Sequence, residues 1–178
     1  MTHSIDFSLF DFPRIFSVIK STDSLKRNQT RPLRAEIIEL AIEKYSHGQL
    51  SYVGNTAVGK DFHTNTNPSY AIECKSMEGL FQSNSPCTKS IILANFRQSK
   101  VSELRKTFDY ILLVDTKRNS VGICDWNTCT ENVIINDANA SVVIDQNKVQ
   151  MIVENVIPCS ESICDFSNKL FQLIRESI

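Results

Sequence analysis

Asp61, Glu73 and Lys75 are the residues of this sequence whose types and spacing point to chemistry. They lie in the stretch GKDFHTNTNPSYAIECK, residues 59–75. Glu73 and Lys75 are two apart, so on a strand their side chains share one face while Cys74 points to the other. The sequence TNTNP at 64–68 is turn-forming, because Asn and Pro tolerate or impose turn dihedrals. A turn there folds the Asp61 segment back on the Glu73 segment and brings both carboxylates close to Lys75. Two carboxylates held together repel unless a cation sits between them, and oxygen ligands of this kind suit Mg²⁺. A lysine beside such a cation orients an attacking water or helps it lose a proton. Metal-assisted phosphodiester hydrolysis needs this set: a Lewis acid on the phosphate, an activated water, and charge neutralisation at the leaving oxygen. The plainer reading is an exposed strand with a surface ion pair between Glu73 and Lys75, which is worth little.

The elements that must position these residues follow from periodicity. Residues 11–20 (DFPRIFSVIK) predict a short helix with Asp11 near its start and Pro13 in its first turn. From Pro32, LRAEIIELAIEKY places Leu33, Ile37, Leu40, Ala41 and Tyr45 on one helical stripe, widened by Ile38 and Ile42, and His47-Gly48 supplies the stop. Leu50–Val53 and Ala57–Val58 read as short strand or loop, Asp61–Phe62 opens an extended piece, and Tyr70–Lys75 alternates as a strand. Residues 76–88 read as a loop. Ser90–Lys106 shows helical spacing at Ile91, Leu93-Ala94, Val101 and Leu104. Phe108–Val114 (FDYILLV) is nearly continuous in apolar residues and reads as a central strand. A hairpin through Asp115–Ser120 into Val121–Asp125 follows. Further strands are expected at 133–135, 142–145 and Val149–Val156, with a closing amphipathic helix at Phe166–Ile174. The class is α/β or α+β, a central mixed sheet flanked by helices in one domain spanning the 178 residues.

Charge is unevenly placed although the net formal charge is only −1. Residues 26–34 hold Lys26, Arg27, Arg31 and Arg34 with no acid, and residues 89–118 hold seven bases against three acids. Between them residues 35–88 hold six acids and three bases. Two basic segments bracketing an acidic centre suit a protein that binds a polyanion, since phosphate attraction depends on a local patch and not on the total. Solvated basic faces are the bland alternative. No stretch reaches the length of a membrane span, and MTHSIDFSLF lacks the basic-then-apolar order of a secretory leader. A cytoplasmic protein with reduced thiols is expected. Cys124/Cys129 and Cys159/Cys164 share a spacing that raises zinc as an alternative to buried small hydrophobes.

Asp61 followed by Glu73-Cys74-Lys75 on a strand resembles the signature of the PD-(D/E)XK nucleases, with Lys60 standing where the nominal Pro would be. Glu36 on the preceding helix is similar to the additional acid that many members carry. Residues 91–98 (IILANFRQ) leading into a long apolar strand resemble the helix-to-strand passage of a short-chain type II restriction endonuclease. The resemblance covers roughly residues 33–115. It implies a restriction-endonuclease-like fold and Mg²⁺-dependent cleavage of double-stranded DNA, with a homodimer matching a palindromic site. In that reading Asp61 and Glu73 hold the metal, helped by the Cys74 carbonyl, Lys75 positions the water, and Glu36 is an additional ligand or supports one. Gln98 is expected to touch the water or a phosphate, with a solvated helix residue as the plain alternative.

DNA contacts are expected outside the motif. The loop Ser76–Lys89 leaves the active-site strand directly and carries Gln82, Ser83, Asn84, Ser85 and Lys89, all able to read base edges. Arg27, Asn28, Gln29 and Arg31, with Arg34 in the same basic run, form a second candidate as phosphate clamps or a groove-entering arm. Arg97 lies beside Gln98, and Lys117-Arg118-Asn119 forms a basic hairpin tip. His63 is read as a partly buried, non-catalytic histidine, with phosphate contact as the alternative, and Trp126 as core or dimer interface. Two other functions remain open: another PD-(D/E)XK nuclease acting in repair, junction resolution or transposition, and a non-enzymatic protein-binding module. The first needs surface suited to branched DNA, and the second needs no divalent cation.

Overall fold

The computed structural model describes residues 5–25, 30–54, 59–93, 106–135 and 140–160. Two helices, α1 (Phe12–Ser21) and α2 (Arg31–Tyr45), precede the strands β1 (Leu50–Tyr52), β2 (Phe62–Thr64), β3 (Ala71–Met77) and β4 (Ile91–Leu93). After them come β5 (Tyr110–Asp115), β6 (Ser120–Asp125), the short helix α3 (Trp126–Thr130), β7 (Val133–Ile135), β8 (Ala140–Val142) and β9 (Gln150–Val153). A six-stranded mixed sheet has the order β1-β2-β3-β5-β6-β9, with β3 and β5 parallel and the other neighbours antiparallel. A second, antiparallel sheet has the order β4-β8-β7.

Alternation along the central strands decides the layers. Ile72, Cys74, Leu112, Val114, Val121 and Ile123 face the side covered by Phe12, Ile15, Phe16 and Ile19 of α1 and Ile38 and Ile42 of α2. Ile111, Leu113 and Cys124 face the other side, where Leu80, Phe81, Phe108, Cys129, Ile91 and Val142 pack. With both faces covered, β5 is buried throughout after Tyr110, and this is why its sequence reads as a continuous apolar run. Burying side chains the size of Phe16 and Phe62, both fully enclosed, contributes about 1.5–3 kcal/mol each.

α1 and α2 form where the sequence predicts helices. Asp11 caps α1 by accepting from the Arg14 amide, and Pro13 sits in the first turn. The stripe Leu33, Ile37, Leu40, Ala41 and Tyr45 of α2 packs around Val18 of α1, while Ile38 and Ile42 face the sheet. His47 and Gly48, both at positive φ (49° and 81°), stop the helix. The TNTNP turn joins β2 to β3 as an antiparallel hairpin, with Phe62 opposite Ile72.

The stretch 90–106 departs from its expected helix at Ile91–Leu93. These three residues form a strand of the second sheet, with Ile91 and Leu93 inward and Ile92 outward, paired with β8 some fifty residues later in the chain. Local spacing cannot reveal so distant a partner. The strand expected at 142–145 lies at Ala140–Val142, and the one at Val149–Val156 is shorter, Gln150–Val153. Ala57–Val58, the remainder of the 90–106 stretch through residue 105, and the helix expected at Phe166–Ile174 lie outside the described residues. Among the described residues, no helix is long and apolar enough to cross a membrane.

Candidate active site

β2 and β3 pair only at their turn-proximal ends and then diverge. Asp61 stands at the opening of the gap. Its backbone N–H still donates to the Ile72 carbonyl at 2.8 Å, and its own carbonyl accepts from Val53. Its side chain takes over from the ladder: Asp61 Oδ2 accepts the Cys74 N–H at 2.6 Å. Residues two apart on a strand direct their N–H and C=O to the same neighbour. The Cys74 carbonyl therefore points, like its amide, toward the gap that holds Asp61. Gly59 makes this approach possible. It is at φ +75°, and a Cβ there would lie 2.5 Å from the Thr107 hydroxyl oxygen, so no other residue fits without displacing Thr107 or the chain leading into Asp61.

Glu73 and Lys75 project from one face of β3 and form an ion pair between Glu73 Oε1 and Lys75 Nζ. This is not the exposed surface pair of the plainer reading, because the Glu73 side chain is only 6% exposed and that of Lys75 28%. Burial raises the Asp61 carboxyl above its ordinary value, opposed by the Cys74 amide and Lys75. Burial likewise raises Glu73, opposed by Lys75 and reinforced by Asp61. At Lys75 burial works against the charge, yet the two carboxylates outweigh it and the ammonium is held more firmly protonated than usual.

A third acid joins this group from α2, and it is Glu39. Glu39 is buried, and burial together with the charge of Asp61 pushes its carboxyl to about 8, with Lys75 opposing and Glu73 adding. The Tyr52 hydroxyl stands beside Glu39, and its own pKa is raised by burial and by the Glu39 and Glu36 charges. Glu36, the acid expected from this helix, is half-buried one turn earlier, and its charge acts on Tyr52. The sequence did carry a signal for Glu39: it sits inside IIELAI, an acid in the middle of an unbroken apolar run whose six residues are all buried.

The charge balance of this group bears on a cation. The buried carboxylates of Glu39 and Glu73 and the half-buried one of Asp61 stand against one ammonium, Lys75, and full ionisation leaves two negative charges uncompensated. A divalent cation would supply what is missing. Among the described residues, no three His, Cys, Asp or Glu side chains converge into a complete cage for a metal. Mg²⁺ does not require one, because it is commonly held by one or two carboxylates and keeps several waters. Asp61, Glu73 and the Cys74 carbonyl fit that requirement. The Cys74 thiol itself is packed in the core on the helix side, where burial raises its pKa well above normal.

The remaining candidates scatter. Arg34 corrects the expectation of a phosphate-facing residue: it is buried, donates from Nε to Thr22 Oγ1 at 3.2 Å and pairs with Asp23, so it ties α2 to the turn after α1. Arg31 is exposed in the first turn of α2. Gln82, Asn84 and Lys89 are exposed on the loop after β3, and Lys89 Nζ donates to the Glu78 carbonyl. His63 is half-buried on β2, and its charge acts on Asp109. Trp126 packs edge-on against Phe108 at 4.8 Å, as a core-lining residue. Cys124 and Cys129 are buried thiols, and Cys159 lies against Ser17 of α1 on the opposite side of the sheet, so the described cysteines do not assemble a zinc site. Arg27, Arg97, Gln98 and Cys164 lie outside the described residues.

Asp115 carries a role that the sequence reading missed. Fully buried at the end of β5, it accepts the amides of Gly79, Lys117 and Arg118 on Oδ1 and that of Phe81 on Oδ2. One carboxylate thereby fastens the loop after β3 to the β5–β6 turn. Gln146 holds the same loop from the other side by donating to the Gln82 and Ser85 carbonyls.

Compared with family models, curated proteins and solved structures, the chain matched none of them.

Proposed function

We propose that this chain is a Mg²⁺-dependent nuclease of the PD-(D/E)XK kind that hydrolyses phosphodiester bonds of double-stranded DNA. A type II restriction endonuclease acting as a homodimer in the cytoplasm is the version we favour. The observation that carries the reading is the Asp61–Cys74 hydrogen bond, which seats Asp61, Glu73 and Lys75 together where two strands part. In this reading the Asp61 and Glu73 carboxylates and the Cys74 carbonyl hold Mg²⁺. The ion supplies Lewis acidity at the phosphate and offsets charge on the leaving oxygen.

The chain's own groups do the rest. Lys75, kept protonated by Glu73 and Asp61, donates to the attacking water or to a phosphate oxygen and fixes its direction. Burial of the pair limits competing solvent and strengthens these contacts. Glu39, whose proton leaves only near pH 8, adjusts the local charge. The loop bearing Gln82 and Asn84 leaves β3 directly after the catalytic strand and stands ready to meet base edges.

The test is incubation of the purified protein with phage DNA and Mg²⁺, with an EDTA control. Discrete metal-dependent fragments support a restriction endonuclease. A metal-dependent smear places the chain with repair or resolution nucleases instead. Intact DNA under several divalent metals refutes the nuclease reading and favours a binding module.

A further inference from the structure

The loop after β3 and the β5–β6 turn, far apart in sequence, are built into one groove. Its cavity of ≈ 870 Å³ is lined from one side by Glu78, Gln82, Ser83 and Lys89, and from the other by Lys117 and Arg118. The third wall is the segment after β9, tied to the turn by the Val156 amide on the Asn119 carbonyl and the Asn155 amide on Ser120 Oγ. A second cavity of ≈ 410 Å³ adjoins it and shares Phe81, Gln82, Ser83, Arg118 and Asn155. Arg118 thus stands on the wall common to both, and the two form a continuous track.

The walls are rigid for a physical reason. Asp115 beneath them accepts four backbone amides, two from each loop, and Gln146 pins the outer turn. Arg118 is itself aimed by a hydrogen bond from Nη2 to Ser83 Oγ. A guanidinium has five donors, so most remain for a ligand. Lys89 Nζ is held over the groove by the Glu78 carbonyl, and Lys117 is exposed at the turn. Three cations against the Glu78 and Glu154 carboxylates leave the joined track positive by one in a chain of net charge −1.

We propose that this groove is a clamp for the phosphodiester backbone of duplex DNA, with Lys117, Arg118 and Lys89 as the phosphate contacts and Asp115 as the positioning residue beneath them. It rests on the nuclease reading only in taking its ligand to be the same DNA. Three cations spaced along an extended track suit a polyanion better than a small ligand, which a pocket mostly encloses. Its place suits a flanking phosphate. β3 runs from Lys75 to the groove edge at Glu78 in three residues, about 10 Å at a strand's rise. Measured along the axis of a duplex, that is roughly three base-pair steps from a phosphate at Lys75.

The experiment is fluorescence anisotropy of a labelled DNA duplex over a series of NaCl concentrations, in EDTA and again in Ca²⁺. The full-length protein is compared with Lys117→Ala, Arg118→Ala, Lys89→Ala, the Lys117→Ala/Arg118→Ala double variant, and Lys20→Ala on α1 as a remote control. The expected result is a loss of affinity of about tenfold or more in the double variant. The slope of log K against log[salt] should fall in magnitude by about one for each phosphate contact removed, with Lys20→Ala unchanged. Arg118→Lys, which keeps the charge, covers the case in which Arg118→Ala disturbs the turn, and thermal melting checks each variant. Unchanged affinity and slope in the double variant, or no salt-dependent duplex binding by the wild type, overturns the proposal. Cleavage with an unchanged slope removes the groove and leaves the nuclease. Groove-dependent binding without cleavage in Mg²⁺ does the reverse.

Discussion

The carboxylate of Asp61 receives the amide hydrogen of Cys74 at 2.6 Å, thirteen residues along the chain. That contact replaces a ladder bond between β2 and β3 and holds an acid over the Glu73–Lys75 pair. The register of β3 against β5, Glu73 opposite Ile111 and Lys75 opposite Leu113, sets the face they occupy, since a slip of one residue would turn both to the helix-packed side.

Asp61→Asn keeps an oxygen able to accept from Cys74 but removes the charge. Its fold, read by circular dichroism and melting temperature, should be preserved. Ca²⁺ binding by calorimetry should weaken at least about tenfold, and cleavage should fall by roughly a hundredfold or more. Wild-type Ca²⁺ affinity in this variant would remove Asp61 from the metal site.

The stability of the metal-free protein should depend on pH through the buried acids. Glu39 is raised from its ordinary 4.5 to about 8, and Asp61 and Glu73 are raised as well. Between these limits the unfolded chain releases a proton that the folded chain keeps. The contribution is therefore fully present below about pH 4.5, falls as pH rises, and is lost once pH passes about 8. Each such group contributes up to about 1.4 kcal/mol per pH unit. Urea unfolding in EDTA should show declining stability from pH 5 to 8, a shallower decline in Glu39→Gln, and recovery at pH 8 on adding Mg²⁺. An equal slope in Glu39→Gln contradicts the assignment.

Part of this was legible from sequence. The TNTNP turn and the Glu-x-Lys alternation located the hairpin, and the apolar run ILLV located β5, because both signals are local. Glu39 was overlooked in favour of Glu36 because the middle of α2 is buried on more than one side, and a single stripe does not rank the acids on it. At Ile91–Leu93 the spacing is ambiguous, because three residues cannot separate a period of two from one of 3.6. Asp115 read as an ordinary hairpin residue, since its four amide partners come from a loop more than thirty residues away as well as from its own turn.

Gly59→Ala should damage the site through the backbone. The added Cβ meets Thr107 at 2.5 Å at a positive φ, which together cost roughly 2–4 kcal/mol. Chemical denaturation should show that loss, and Ca²⁺ affinity should fall with it because Asp61 is two residues away. Thr107→Gly in the same chain should return part of both by removing the clash.

Asp115→Ala leaves four amides, one buried and three partly buried, without their acceptor and should destabilise by about 3–5 kcal/mol, measured by the urea midpoint. A loss below about 1 kcal/mol would mean that the two loops are held by other contacts.

Arg34→Met should lower the melting temperature by removing the tie to Thr22 and Asp23, yet leave the salt dependence of DNA binding untouched. A reduced salt slope would return Arg34 to the DNA-facing surface.

The central claim is that Asp61, Glu73 and Lys75 hydrolyse DNA with a divalent cation. The most direct measurement is the rate at which supercoiled plasmid is nicked or linearised by wild type, Asp61→Asn and Lys75→Ala in Mg²⁺ and in EDTA. The wild type should cut in Mg²⁺ and not in EDTA, and both variants, each folded by circular dichroism, should lose at least a hundredfold in rate. Equal rates in all three proteins, or no cutting by the wild type under any divalent metal, would contradict that claim.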